Sequence, residues 1–401
     1  MAGKEFIIGA DLLYDGRTKV PQRSIVVQGN EIVEVSSKKY RNSISGIVTP
    51  AFIDPHSHIG MERQGEPVRE SEVDDTATPF SPLHDPLNSI YFDDRAFSEA
   101  VDFGVLYSCV LPGSSNIMGG QAKVIKNFAS NRQSAVIREC GFKMALGYNP
   151  RAAIAFKGVR PSTRMGTTAM LENYFLEILR KEEQARIEKE KAVVDLPDHE
   201  KEKHLALIQR AYELSLSNEQ WAVFKLLNGE TTAKVHVHKA DDALYLIDMK
   251  RRFNLKVTAE HACDIFDVEI FNALAENDIP VVYGPVGAFD SKVELKNASY
   301  KNTAFLMQSD ADFGLMTDHP IILAHHLRDS LKYFLINGMA PEDAISLITH
   351  KNAAILGVDD CLGTVAAGKL ASLIVWDKDP IHLGAFPLLV MAEGRVIRDR
   401  R

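Results

Sequence analysis

Apolar and polar residues alternate along this chain in two different ways. The first fifty residues carry short runs rich in Val and Ile, FIIGADLLYDG, SIVVQGNEIVEVSS and GIVTP, divided by turn pairs such as Asp15-Gly16 and Gly29-Asn30. Runs of this length bounded by turn residues predict strands and hairpins. The last forty residues repeat the pattern in GTVAAGKLASLIVWDKDP and PLLVMAEGRVIRD, with Glu393-Gly394 at the turn. Two β-rich ends around a different middle predict one small β domain, residues 1–50 plus 362–401.

The middle, residues 51–361, alternates strand-like and helix-like segments. Seven strand candidates stand out: AFIDPHSH, GVLYSCVLPG, FKMALGY, KVHVHK, LKVTAEHA, IPVVYGP and DFGLMTDHP. Amphipathic stretches such as ADDALYLIDMKRRFN and VEIFNALAEN lie between several of them. That order predicts parallel strands with crossover helices, one strand short of a (β/α)8 TIM barrel. A further strand near Ser134–Arg138 has only a weak signal. Residues 161–230 depart from the alternation, being long, charged and helical in composition. There Leu171, Tyr174, Phe175 and Ile178 follow helical spacing, and Pro197 is expected to divide the segment into two helices. This insertion is expected to cover the barrel mouth or to contact a second subunit, so a homo-oligomer is the expected assembly.

Composition narrows the function. The chain has 401 residues, 45% hydrophobic and 25% charged, enough for a large core. Its net charge of -8 argues against nucleic acid or an anionic membrane as the main partner. The four cysteines form no CxxC pair and read as small core residues. No segment has the apolar length of a membrane span, and the N-terminus lacks a signal-peptide pattern, so a cytoplasmic protein acting on a small molecule is expected.

Histidines supply the candidate chemistry. His56 and His58 are two residues apart on a predicted strand, so their imidazoles face one side and suit a single cation such as zinc. His236 and His238 repeat the spacing, His261 ends the next strand, and Asp318 ends the last. In a parallel barrel the strand ends meet on one face, where active sites are built. His84, His199, His204 and His382 read as surface residues, and His325, His326 and His350 as structural ones. His238 is open between ligand or substrate contact and core histidine. Arg164, in TRMG, is a candidate clamp for a substrate carboxylate, with a plain surface arginine as the other reading.

The entry segment VTPAFIDPHSH is similar to the PGFID-x-H-x-H motif of the amidohydrolase superfamily, with Ala51 where Gly is usual. The closing GTVAAGKLASLIVWDKDP resembles the same family's G-x-hydrophobic-x-x-G-K-x-A-D pattern, with Ser372 where Asp is usual. GSSNIMGGQ, FKMALGYNPR, TRMG and VHVHKADD resemble its imidazolonepropionase-like branch. The resemblance implies a (β/α)8 barrel with a β-sandwich made from both termini. It implies metal ligands His56, His58, His236, His261 and Asp318, and Zn2+ as the ion, with Mn2+ or Fe2+ as alternatives. Two-metal members add a bridging carboxylated Lys or a Glu on strand three or four. Lys143 is the nearest candidate but sits early in its strand, so one metal is favoured, with two left open.

The implied reaction is hydrolysis of an amide or cyclic amide C–N bond by metal-activated water. Asp318 would take the water proton and return it to the leaving nitrogen, and His238 or His261 would stabilise the oxyanion. Deamination of a heterocycle is a rival, weakened because Lys239 stands where such enzymes place a Glu. A small-dipeptide peptidase and a non-catalytic oligomeric scaffold are further alternatives. The acidic stretch MERQGEPVRESEVDDTATPFSPLHDP after the first strand is expected to overhang the site and to favour a basic or zwitterionic substrate.

Overall fold

A computed structural model describes residues 5–40, 44–152, 159–288 and 292–401. Its strands form two sheets. The N-terminal strands are β1 (Glu5–Tyr14), β2 (Lys19–Gln28), β3 (Glu31–Ser36) and β4 (Ile44–Pro50). Next come β5 (Phe52–Ser57), β6 (Val105–Val110), β7 (Met118–Lys126) and β8 (Val136–Ala145). They are followed by β9 (Thr232–Val237), β10 (Lys256–His261), β11 (Val281–Tyr283) and β12 (Phe313–Leu315). The chain ends in β13 (Leu373–Trp376), β14 (Pro387–Ala392) and β15 (Arg395–Asp399).

The two ends of the chain share one seven-stranded sheet, in the order β15-β14-β13-β4-β1-β2-β3. The join is antiparallel, with Leu373 opposite Pro50 and Val375 opposite Val48. Alternate residues such as Ile8, Ile25, Val48, Leu373 and Leu389 bury one apolar cluster, separate from the barrel core. The predicted Glu393-Gly394 turn has both residues at positive φ, +47° and +73°, the conformation a type I′ hairpin needs. The serine that departs from the family pattern has partners here. Ser372 Oγ lies 2.7 Å from the Tyr107 hydroxyl of β6 and accepts the Glu393 amide at 3.0 Å, tying that turn to the barrel.

The second sheet runs β5 through β12 in chain order and is a nearly closed eight-stranded barrel. It differs from a uniform (β/α)8 barrel in one strand. β7 is antiparallel to both β6 and β8, so seven strands are parallel, and these match the seven candidates of the sequence. The weak signal near Ser134–Arg138 belongs to the start of β8. The missing strand is MGGQAKVIK, whose two glycines and buried Lys123 hide the usual pattern.

β12 and β5 are not joined by a regular ladder. Residues after β12 make the closure instead: Asp318 N donates to His56 O at 3.1 Å and His58 N to His319 O at 3.0 Å. The Asn352 carboxamide adds a staple, donating to Ile53 O at 2.7 Å and Leu315 O at 2.9 Å.

The insertion folds as helices Arg164–Asp195, Asp198–Ser215 and Asn218–Leu227, the first two parted at Leu196-Pro197. Leu171, Phe175 and Ile178 are buried, so the apolar face read from spacing packs inward. None of the described helices is long and apolar enough to cross a membrane.

Candidate metal centre

The strand ends carry the chemistry. His56 lies on β5 and His58 just beyond it; His236 lies on β9 and His238 just beyond it; His261 closes β10 and Asp318 follows β12. The structure brings all six together. Ligand atoms of His236, His238 and His261 lie within 4.8 Å of one another, as do those of His56, His261 and Asp318. Counting β7 as third strand makes β8 fourth, β9 fifth, β10 sixth and β12 eighth.

Which nitrogen of each ring faces inward follows from its outer partner. His56 Nδ1 is 2.7 Å from Glu260 Oε2, His58 Nδ1 is 2.8 Å from Leu111 O, and His261 Nδ1 is 3.0 Å from Gly284 O. A carbonyl or carboxylate oxygen accepts only, so each Nδ1 carries the proton and each Nε2 directs a lone pair at the centre. His236 is turned the other way, with Nε2 3.1 Å from Glu294 Oε1. His236 Nδ1, His238 Nδ1 and His261 Nε2 are buried without a hydrogen-bond partner. Burial lowers the pKa of His56, His236, His238 and His261, keeping these imidazoles neutral near pH 7.

Asp318 Oδ1 lies 3.2 Å from His58 Nε2 and 3.6 Å from His56 Nε2. Lone pairs facing a carboxylate at this spacing repel unless a positive charge stands between them. Lys143 supplies one here, its Nζ donating to His56 Nε2 at 2.9 Å. Although it lies two residues before the end of β8, its four methylenes reach the rim. Burial lowers its pKa to about 8. Burial alone would raise the Asp318 carboxyl, but His58, Lys143 and Lys292 hold it below its usual value.

Three residues at the centre were not singled out from sequence. Glu260 immediately precedes His261, and strand alternation would aim the two to opposite sides; His261 escapes this at φ +79°. Glu294 sits in a single 3-10 turn after β11, Val293–Leu295, too short for its periodicity to show in the sequence. Lys234 is buried below the rim on β9, 3.8 Å from Glu260.

Two expectations meet a different geometry. Arg164 binds Asp242 Oδ1 at 3.1 Å and approaches Asp241 Oδ2 at 3.5 Å, so its guanidinium is engaged there. It does not line the cavity of about 330 Å³ that opens onto His238 and Asp318. The acidic stretch after β5 does not line it either. Asp74 binds Ser115, and Asn116 donates to the Asp75 and Thr78 carbonyls, fastening the stretch to the β6–β7 connection.

A nearly closed barrel with an imidazole–carboxylate cluster at its strand ends defines a class that comparison with known proteins narrows. Residues 226–398 match the model of the Amidohydrolase family. Amidohydrolase tasK of Hapsidospora irregularis is 23% identical over 368 residues, covering 86% of this chain; the chain spans only 36% of that relative's length. The crystal structure of an amidohydrolase from Thermotoga maritima MSB8 superposes with a TM-score of 0.86 at 25% identity, over 98% of this chain and all of that one. A Xaa-Pro dipeptidase with bound methionine shares the fold, with a TM-score of 0.58 at 16% identity over 98% of this chain and 99% of that one. Over residues 226–398 the chain is thus similar to the Amidohydrolase family, and over nearly its whole length it shares the fold of the Thermotoga maritima amidohydrolase.

Proposed function

We propose that the protein is a metal-dependent hydrolase that cleaves a C–N bond, an amide or cyclic amide, of a small molecule. The observation that carries this reading is the set of inward lone pairs on His56, His58 and His261, locked by partners that can only accept. The orphaned His236 Nδ1 and His238 Nδ1 enlarge the set. Neutral imidazoles and an ionised carboxylate are the donors a divalent cation takes, and zinc suits them best.

A cation held there would polarise the substrate carbonyl and make water nucleophilic at neutral pH. Asp318, kept ionised, accepts the proton of the attacking water and returns it to the leaving nitrogen. We assign His238, which lines the cavity, to stabilising the oxyanion. Lys143 revises the one-metal expectation. Its amine lies 2.9 Å from His56 Nε2 and, if carboxylated, would add oxygen ligands to the imidazole donors, so we read the centre as able to hold two ions.

Amide hydrolysis is favoured over deamination by Lys239, which stands where deaminases of the family place a Glu and is paired with Asp264 at 2.9 Å. The dipeptidase reading is a special case of amide cleavage, prompted by the named neighbour. The fold segments GSSNIMGGQ and VHVHKADD favour the imidazolonepropionase-like branch.

The test is to load the protein with zinc or manganese, measure bound metal by elemental analysis, and screen N-acyl amino acids, dipeptides, hydantoins and imidazolones. About two equivalents of metal and turnover of at least one class are expected. Asp318→Asn should abolish turnover while keeping metal. Metal below a few tenths of an equivalent after loading would sink the reading.

A further inference from the structure

The cavity beside the centre has a chemistry of its own. Its walls include Tyr283, Tyr300 and Tyr333, and the rings of Tyr300 and Tyr333 lie 5.9 Å apart. Among its described lining residues the only carboxylate is Asp318, which faces His58, and the only Lys or Arg is Lys292. Lys292 is half-buried, and no hydrogen bond or ion pair to its ammonium is found among the described residues. Its backbone is fixed from the next turn, because Glu294 is buried against His236 and Leu295 joins the cavity wall. The other basic candidate, Arg164, is engaged with Asp242 and Asp241.

An ammonium among aromatic walls, with no carboxylate at ion-pair distance among the described residues and only the longer-range field of Asp318 and Glu294, is completed by an anion that brings its own apolar surface. We propose that Lys292 is the anion-binding residue of this cavity, and that the substrate is a small organic monocarboxylate whose carboxylate meets Lys292 while its apolar body packs on Tyr283, Tyr300 and Tyr333. This deepens the hydrolase reading and rests on it for the word substrate; the binding site itself stands on the cavity. It also reverses the expectation of a basic ligand, since the acidic stretch after β5 lies outside the walls.

The test uses two probes that cannot be hydrolysed and differ only in charge, 3-phenylpropanoate and 3-phenylpropan-1-ol, titrated calorimetrically into the metal-loaded protein. The carboxylate should bind at least about 10-fold more tightly than the alcohol, the scale of one charge-assisted contact. Lys292→Met should weaken the carboxylate by about 10- to 100-fold and leave the alcohol within about threefold. Lys292→Arg should restore most of the difference. Equal binding of the two probes, no carboxylate binding at 20 mM, or a preference that survives Lys292→Met would each overturn the proposal, the last by assigning the carboxylate to the metal. If the preference falls with Lys292 yet no acyl compound is turned over, the anion site stands and the hydrolase reading fails. If amides are turned over without any charge preference, the hydrolase reading stands and this one fails.

Discussion

The two nitrogens of His56 have different partners, and the outer one is as informative as the inner. Glu260 holds Nδ1 at 2.7 Å and fixes which lone pair enters the centre. Glu260→Gln should therefore lower metal affinity by about 10- to 100-fold, the usual loss when a ligand's outer partner is changed. It also removes the negative partner of buried Lys234, so a drop in stability of about 3–5 kcal/mol is expected. Metal titration and thermal melting read the two effects separately. Unchanged affinity would mean that Glu260 does not orient His56.

Acid should act on the same rings. His56, His236, His238 and His261 have pKa values lowered by burial, whereas unfolded histidine titrates near ~6.5. Below that pH the unfolded chain binds more protons than the folded one, so stability is full above about 6.5 and declines as pH falls, by up to about 1.4 kcal/mol per unit for each ring. Melting of the metal-free protein should be level from about pH 6.5 to 7.5, below the range where Lys143 titrates, and drop steadily towards pH 5. A flat profile over that range would show that the rings are charged in the fold. The candidate ligands that the structure brings together were legible residue by residue because period-two spacing and strand ends announce them. Glu260, Glu294 and Lys292 were not, since positive φ, a single short turn and side-chain reach leave no mark on spacing.

At the scale of elements, one helix residue braces the closure of the barrel. The ladder between β12 and β5 is absent, and Asn352 spans the gap with bonds to both strands. A Cβ on Gly314 would overlap the Asn352 carboxamide. Gly314→Ala should thus displace the staple and cost about 2–4 kcal/mol, more than an ordinary strand substitution. Asn352→Ala should cost about 1–3 kcal/mol by leaving two buried carbonyls unpaired. Denaturant melts check both, and losses under 0.5 kcal/mol would show that the closure bonds of residues 317–319 suffice alone. Seven strands were readable because apolar runs end at turn residues. β7 was not, because Gly119 and Gly120 remove side chains from its pattern and Gly120 lies against the His84 backbone.

At the scale of the whole molecule, the centre joins strand ends from every quarter of the barrel, so a bound ion cross-links them. An ion at ~1,000 times its dissociation constant stabilises the folded state by about 4 kcal/mol. Removing it with a chelator should lower the melting temperature by several degrees, and zinc should restore it in proportion to the logarithm of its free concentration. No shift on chelation would mean that the donors do not hold an ion in the folded protein.

The seven-stranded sheet sets an order of events in time. β4 finds its outer neighbour only in β13, which begins at Leu373. During synthesis at about 5–20 residues per second, the open side of β4 waits on the order of half a minute for that partner. Until then it is an unpaired edge able to recruit strands from other nascent chains. Interrupting synthesis within the barrel should leave this protein more prone to aggregation than interrupting it after β13, since the first strands are finished by the last.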